Sequence, residues 1–158
     1  MAGKKDESYV DQKGRLRWRL NDEIGERLKQ LGDFLIIGGY EESHAQRYGK
    51  LAHTISRYPE SVARLHKEGR LKEIPGVGAT IADIIGEFLE TGTCAKVEEW
   101  AERVPKTVLE LAAIPGLGAK TIKILYTEHG IESLSGLRRA LDRGELASCL
   151  FTGVTHAL

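Results

Sequence analysis

The chain has 158 residues, 41% of them hydrophobic and 29% charged, enough to bury a core as one or two small domains. Its 23 basic and 23 acidic side chains cancel, which excludes a global positive field, so any DNA contact is expected to be local. Cys94 and Cys149 lie far apart and share no paired-ligand spacing with each other or with the five histidines, which argues against a structural zinc and a disulfide scaffold.

No apolar run approaches the roughly 20 residues needed to span a bilayer, and the opening residues lack the apolar block of a secretory signal. A cytoplasmic protein with no membrane partner is expected. Helical periodicity runs through almost the whole chain and convincing strand alternation is absent, so the expected fold class is all-α. Residues 1–20 hold six basic and three acidic side chains without a capped periodic pattern, and are expected to form a basic flexible arm. Asn21 or Asp22 is placed to cap a first helix, with Ile24, Leu28, Leu31 and Leu35 on one face and Gly38-Gly39 at its end. Ala45, Tyr48, Ala52 and Ile55 mark a second helix that stops before Pro59. Val62 and Leu65 mark a short third, closed near Gly69. Further helices run through Phe88, through Val97 and Trp100, and through Val108 and Leu111. A last pair carries Leu125 and then Leu134, Leu137 and Leu141.

Two of the junctions between these helices are the same. "EIPGVGATIADII" at residues 73–85 recurs as "AIPGLGAKTIKIL" at residues 113–125. Pro75 and Pro115 lock φ near −65° and donate no N–H, which suits a chain leaving a helix. Gly76, Gly78, Gly116 and Gly118 can take positive φ and carry no side chain, so the backbone can turn sharply and approach a partner closely. Val77 and Leu117 plug each turn into the core. Each turn then opens into a helix N-terminus, whose unpaired N–H groups and partial positive charge suit a phosphate. Such a contact positions a backbone and does not read bases. A single Gly-apolar-Gly turn is most often a plain helix connection; two copies in one chain point to a duplicated functional unit.

"IPGVGATIADIIGEFLETG" and "IPGLGAKTI" resemble helix-hairpin-helix motifs. The order of segments from about Asn21 to Leu146 resembles the amino-terminal region of family X DNA polymerases. The likeness runs through "NDEIGERLKQLGDFLIIGG", "AQRYGKLAHTISRYPESVARLHKEGRLKEIPGVG", "FLETGTCAKVEEW", "ELAAIPGLGAKT" and "HGIESLSGLRRALDRGEL". It implies a tandem helix-hairpin-helix bundle of two small helical subdomains. A lyase-like domain at 21–92 would carry the first hairpin, a second subdomain at 93–150 the other, and 151–158 a tail. Together they would grip the DNA backbone on both sides of a short gap. The resemblance also implies a monovalent cation, K+ or Na+, on the backbone carbonyls of Lys72, Ile74 and Val77, and another on those of Ala112, Ile114 and Leu117. No other cofactor is expected.

The sequence departs from this family in its chemistry. The family's polymerases continue into a palm with metal-binding aspartates, and no palm is expected within these 158 residues. The family's lyase lysine, which needs a depressed pKa to form a Schiff base, is matched here by Ile84, and its helper lysine by Thr80. The sequence therefore leans against an enzyme, with no catalytic residue assigned. Tyr48 matches a tyrosine facing that pocket, or is simply a core aromatic on its helical stripe. Lys96 matches a phosphate-pocket lysine, and Lys72 or Lys50 is the substitute amine that a displaced lyase site would need.

Charge separates the two hairpins. Lys120 and Lys123 follow Gly118, where they can join the backbone amides in holding phosphate. Thr80 and Asp83 take those places after Gly78, so the first hairpin is expected to bind less well. Arg138, Arg139 and Arg143 would extend a basic face or simply be solvated. In the tail, Gly153 and Val154 are spaced like another hairpin, with Thr155 in place of a second glycine. The histidines show no metal-binding spacing, and no nucleophile-elbow or Walker pattern occurs.

The expected function is sequence-nonspecific DNA binding in repair, at gapped, nicked or end-containing duplex, with a repair protein as a further partner. Phosphate contacts are assigned to Gly76, Gly78, Gly116, Gly118, Lys120, Lys123 and Lys96. The alternatives are an abasic-site lyase with a displaced lysine and a protein-interaction scaffold without DNA affinity.

Overall fold

The computed structural model describes residues 6–114 and 117–144. Eight α-helices and one two-stranded antiparallel sheet are present among the described residues, so the fold is all-α. None of these helices is long and apolar enough to cross a membrane. The chain divides into two compact units: Met1–Gly32 with Gln46–Glu99, and Asp33–Ala45 with Trp100–Leu158.

The first unit opens with a β-hairpin. Strand β1 (Ser8–Val10) pairs with β2 (Leu16–Trp18), with Tyr9 opposite Arg17. Residues 6–18 are thus ordered structure where the sequence suggested a flexible arm, and three-residue strands are too short to leave an alternation signal. Asp11 closes the loop by accepting hydrogen bonds from the N–H groups of Lys13 and Arg15 at 2.9 and 3.0 Å. Arg17 reaches Asp22 at 2.8 Å, and the Tyr9 hydroxyl donates to the same carboxylate. The Trp18 indole N–H donates to the Pro59 carbonyl at 3.0 Å.

Helix α1 (Arg19–Ile37) begins earlier than the predicted cap. Asp6 accepts from the Leu20 N–H at 3.0 Å, so Asn21 lies inside the helix. Asn21 is fully buried and holds the 58–62 loop instead. Its amide donates to the carbonyls of Tyr58 and Glu60 at 3.3 and 2.9 Å, and its oxygen accepts from the Val62 N–H at 2.9 Å. Helix α2 (Glu42–Ser56) stops before Pro59 as expected. Close approach of α1 and α2 is made at Gly25, where a Cβ would lie 2.9 Å from the Ala52 carbonyl oxygen.

Ser61 caps α3 (Val62–Lys67), accepting from the Arg64 N–H and donating to Asp6. A 3-10 turn at Leu71–Glu73 leads into the first hairpin and α4 (Ala79–Thr91). The predicted stripes Ile24, Leu28, Leu31, Ile55, Val62, Leu65 and Phe88 are all buried. Each large aliphatic side chain among them contributes about 2 kcal/mol through removal from water.

Helix α5 (Ala95–Ala101) carries Trp100, which belongs to the second unit. Trp100 packs edge-on to Tyr40 with centroids 5.5 Å apart, and a Cβ at Gly38 would lie 2.6 Å from its ring. A 3-10 turn at Lys106–Val108 runs into α6 (Leu109–Ala112), and α7 (Ala119–His129) follows the second hairpin. Ser133 caps α8 (Leu134–Asp142), whose first N–H also donates to Glu110 at 3.1 Å. Val108, Leu111, Ile122, Leu125 and Leu137 form the buried centre of this unit.

Candidate nucleic-acid interface

Leu71 and Ile74 anchor the approach to the first hairpin in the core, leaving Pro75 and Gly76 exposed. The Val77 N–H donates to the Ile74 carbonyl at 3.0 Å and Gly76 has φ +87°. With proline in the second position, positive φ in the third defines a type II turn, which strongly favours glycine there. Val77 is buried, as predicted for the plug. In the second hairpin the Leu117 N–H donates to the Ile114 carbonyl at 3.1 Å, and Leu117 and Ile114 are buried. Pro115 and Gly116 lie outside the described residues, as do the tail and its Gly153, Val154 and Thr155.

Gly78 and Gly118 differ from Gly76. They are the N-caps of α4 and α7, with φ −99° and −81° and extended ψ, so neither uses positive φ. A Cβ at either position would meet nothing within 4 Å. No side chain caps either helix, and Gly78 and Gly118 are exposed. The first N–H groups of both helices are therefore without a side-chain acceptor, the state in which a helix N-terminus receives an anion.

Lys123 is exposed and forms no ion pair with a described residue. Lys120 is exposed but paired with Glu42, its Nζ 2.9 Å from Oε1. Nothing in local spacing links these two residues, and the sequence reading missed Glu42. Thr80 and Asp83 are exposed on α4. Asp83 also lines a cleft of about 480 Å³ with His66, Lys72, Gly86, Glu87 and Glu90. The flank of the first hairpin is thus mainly acidic, and His66 Nε2 lies 2.9 Å from Glu90 Oε1.

Lys96, on α5, is half-buried with its Nζ 5.7 Å from the centre of the Tyr48 ring. Tyr48 is 6% exposed, so it is a core aromatic and also a cation-π platform for that lysine. Ile84 is buried in the same unit, while Lys50 and Lys72 are exposed. Arg138, Arg139 and Arg143 are exposed at α8 and its C-terminal end. Among the described residues, no group of three His, Cys, Asp or Glu side chains is placed to hold a metal ion.

Residues 19–94 match the helix-hairpin-helix domain, and residues 108–156 match the SAM-like helix-hairpin-helix tandem. The chain carries a helix-hairpin-helix region like that of family X polymerases. The two matched helix-hairpin-helix segments each contain one copy of the repeated turn. The DNA polymerase/3'-5' exonuclease PolX of Bacillus subtilis (strain 168) is 26% identical over 96 residues, which covers 56% of this chain and 17% of that relative.

Proposed function

We propose that this helix-hairpin-helix chain binds DNA through its sugar-phosphate backbone, without reading base sequence, and that the second hairpin makes the stronger contact. The helix-hairpin-helix matches and the likeness to PolX support DNA binding. The observation that carries the site is Gly118. Neither its φ nor the described packing calls for glycine, and the helix it starts has no capping side chain. A bare N-cap beside open N–H groups suits an acceptor arriving from outside, and a phosphate oxygen has the right charge. Lys123 adds a cation one turn further on, and Gly78 offers the same backbone in a more acidic setting.

The substrate proposed is gapped, nicked or end-containing duplex, in a cytoplasmic repair role alongside a repair protein. A monovalent cation on the hairpin carbonyls is part of the same proposal. Ile74 and Ile114 each accept one hydrogen bond, which leaves a lone pair, and neutral backbone oxygens are the donors that K+ sites use. Lys72, Ile74 and Val77 would hold one ion, and Ala112, Ile114 and Leu117 the other. A bound ion would supply positive charge toward the phosphate.

The test is a titration of labelled gapped duplex with a 5′ phosphate, from low to physiological potassium chloride. Binding is expected to weaken with salt at a log-log slope of roughly −0.9 per phosphate neutralised. Gly118→Val is expected to keep the helical circular dichroism and to cost about tenfold in affinity, as loss of charge-assisted amide contacts would. No binding at low salt would overturn the reading and favour a protein-interaction scaffold. Unchanged affinity in the folded variant would remove Gly118 from the site.

A further inference from the structure

Strands β1 and β2 place Val10 directly opposite Leu16, next to the loop that joins them. These are also the two most exposed large apolar side chains among the described residues, at 66% and 47%. Side chains alternate across a strand, so Tyr9 and Arg17 take the other face, where both reach Asp22 on α1. The β-hairpin is thus fastened to the first unit by polar groups and turns an apolar pair to water, the reverse of an ordinary half-buried sheet. Trp18, two residues along from Leu16, is tied to the Pro59 carbonyl at 3.0 Å and holds the ladder in place. The carboxylates are committed within the unit as well. Asp6 accepts from the Leu20 N–H and the Ser61 hydroxyl, and Asp11 from the loop amides and, at 3.2 Å, from Arg15. Lys13 and Arg15 stand exposed on either side of Gly14. Residues 1–20 hold six basic side chains against three acidic ones, in a chain whose net charge is zero.

We propose that Val10 and Leu16 cover the open base pair at the margin of a gap in DNA, with Lys13 on the adjoining phosphates. This rests on the chain binding DNA. A base pair beside a gap has lost a stacking neighbour and leaves a flat, largely apolar face in water. Side chains that cover such faces, or enter between base steps, remove both surfaces from water together. The excess of basic residues complements the phosphates on either side. In a continuous duplex every base face is already stacked, so the apolar pair gains nothing there. The β-hairpin thereby supplies a preference for gaps, which phosphate contacts available on any duplex do not.

The experiment measures the affinity of the full chain for two duplexes closed at both ends by loops, one continuous and one interrupted by a short gap, at several salt concentrations. The wild-type chain is expected to prefer the gapped duplex. The double variant Val10→Thr, Leu16→Thr is expected to lose about fivefold on the gapped duplex alone, with the salt slope unchanged, because an apolar contact releases no counterions. Lys13→Ala is expected to weaken both duplexes alike and to flatten the slope by up to about 0.9, the value of one phosphate contact. The proposal is overturned if the wild type shows no preference for the gap, or if the double variant keeps that preference or weakens on both duplexes alike. Each of these outcomes leaves backbone binding standing, and a retained preference assigns the apolar pair to another partner, such as an acidic protein. If the wild type binds neither duplex at low salt, the DNA-binding reading itself has failed. Threonine suits a strand. Unshifted amide resonances of Tyr9, Arg17 and Trp18 in the double variant would show that the β-hairpin has kept its place.

Discussion

Asn21 ties the start of α1 to the loop that leads into α3. Both ends of its amide are used in a fully buried position, and its three partners all lie in the loop that starts α3. Truncation strands the buried Val62 N–H and removes the donor from two part-buried carbonyls, and a stranded buried group costs roughly 1–3 kcal/mol. Asn21→Ala is expected to destabilise the protein by about 3 kcal/mol, read as a lowered midpoint in urea unfolding. Asn21→Asp should do nearly as badly, since it exchanges the amide donor for a second acceptor facing two carbonyls. The sequence placed Asn21 at a helix start on sound local grounds, because asparagine favours N-caps. Its partners lie about forty positions away, and no periodicity reports a contact of that range. Glu42 and Lys120 were hidden for the same reason. By contrast, Val77 and Leu117 were legible because each sits between glycines in a turn that has one apolar side to bury.

At the scale of elements, the hairpin of β1 and β2 has an acid-sensitive lock. The Arg15 N–H bonded to the Asp11 carboxylate is the main cause that holds its pKa below the ordinary 3.8, helped by the Lys13 N–H and the Arg15 side chain. A depressed carboxylate pKa adds stability that is complete above the unfolded value and is lost as pH falls through the folded one. Amide exchange of Lys13 and Arg15 is therefore expected to accelerate as pH drops below about 3.8, after correction for intrinsic rates, while Leu28 and Leu31 in α1 remain protected. Asp11→Asn keeps an acceptor and is expected to flatten that response. The opposite sign applies to Tyr9, whose pKa is raised, chiefly by its hydrogen bond to Asp22. Its contribution is complete below the ordinary 10.0 and lost as pH rises through the folded value.

The long helices α1 and α2 were readable because each has an apolar stripe facing the core, and all the residues named for them are buried. The hairpin was not, because its strands are short and its charges looked like those of a solvated arm. The two repeated turns were readable as turns, yet their glycines divide by task. Gly76 satisfies a backbone requirement, whereas Gly78 and Gly118 satisfy none within the described chain. That distinction needs φ angles and neighbours, which sequence alone does not carry.

For the whole molecule, charge neutrality and a proposed polyanion partner are compatible because charge is distributed by element. The start of α7 bears lysines, the matching stretch of α4 bears Asp83, and one acidic residue already occupies one of those lysines. The all-α class and the duplicated hairpin were legible from periodicity and repetition. The grouping of Asp33–Ala45 with the later residues was not, because a boundary drawn along a sequence joins neighbours and this unit is discontinuous.

The chain contains two tryptophans, and they fall one to each unit. Trp100 is 7% exposed and set against Tyr40, whereas Trp18 is half-buried with its indole N–H on a loop carbonyl. Each unit thus carries its own fluorophore in a distinct environment. Trp18→Phe leaves emission from the second unit alone, expected at shorter wavelength, and Trp100→Phe leaves the redder emission of the first. With these two variants, unfolding or ligand addition can be followed in either half of the protein without an attached dye.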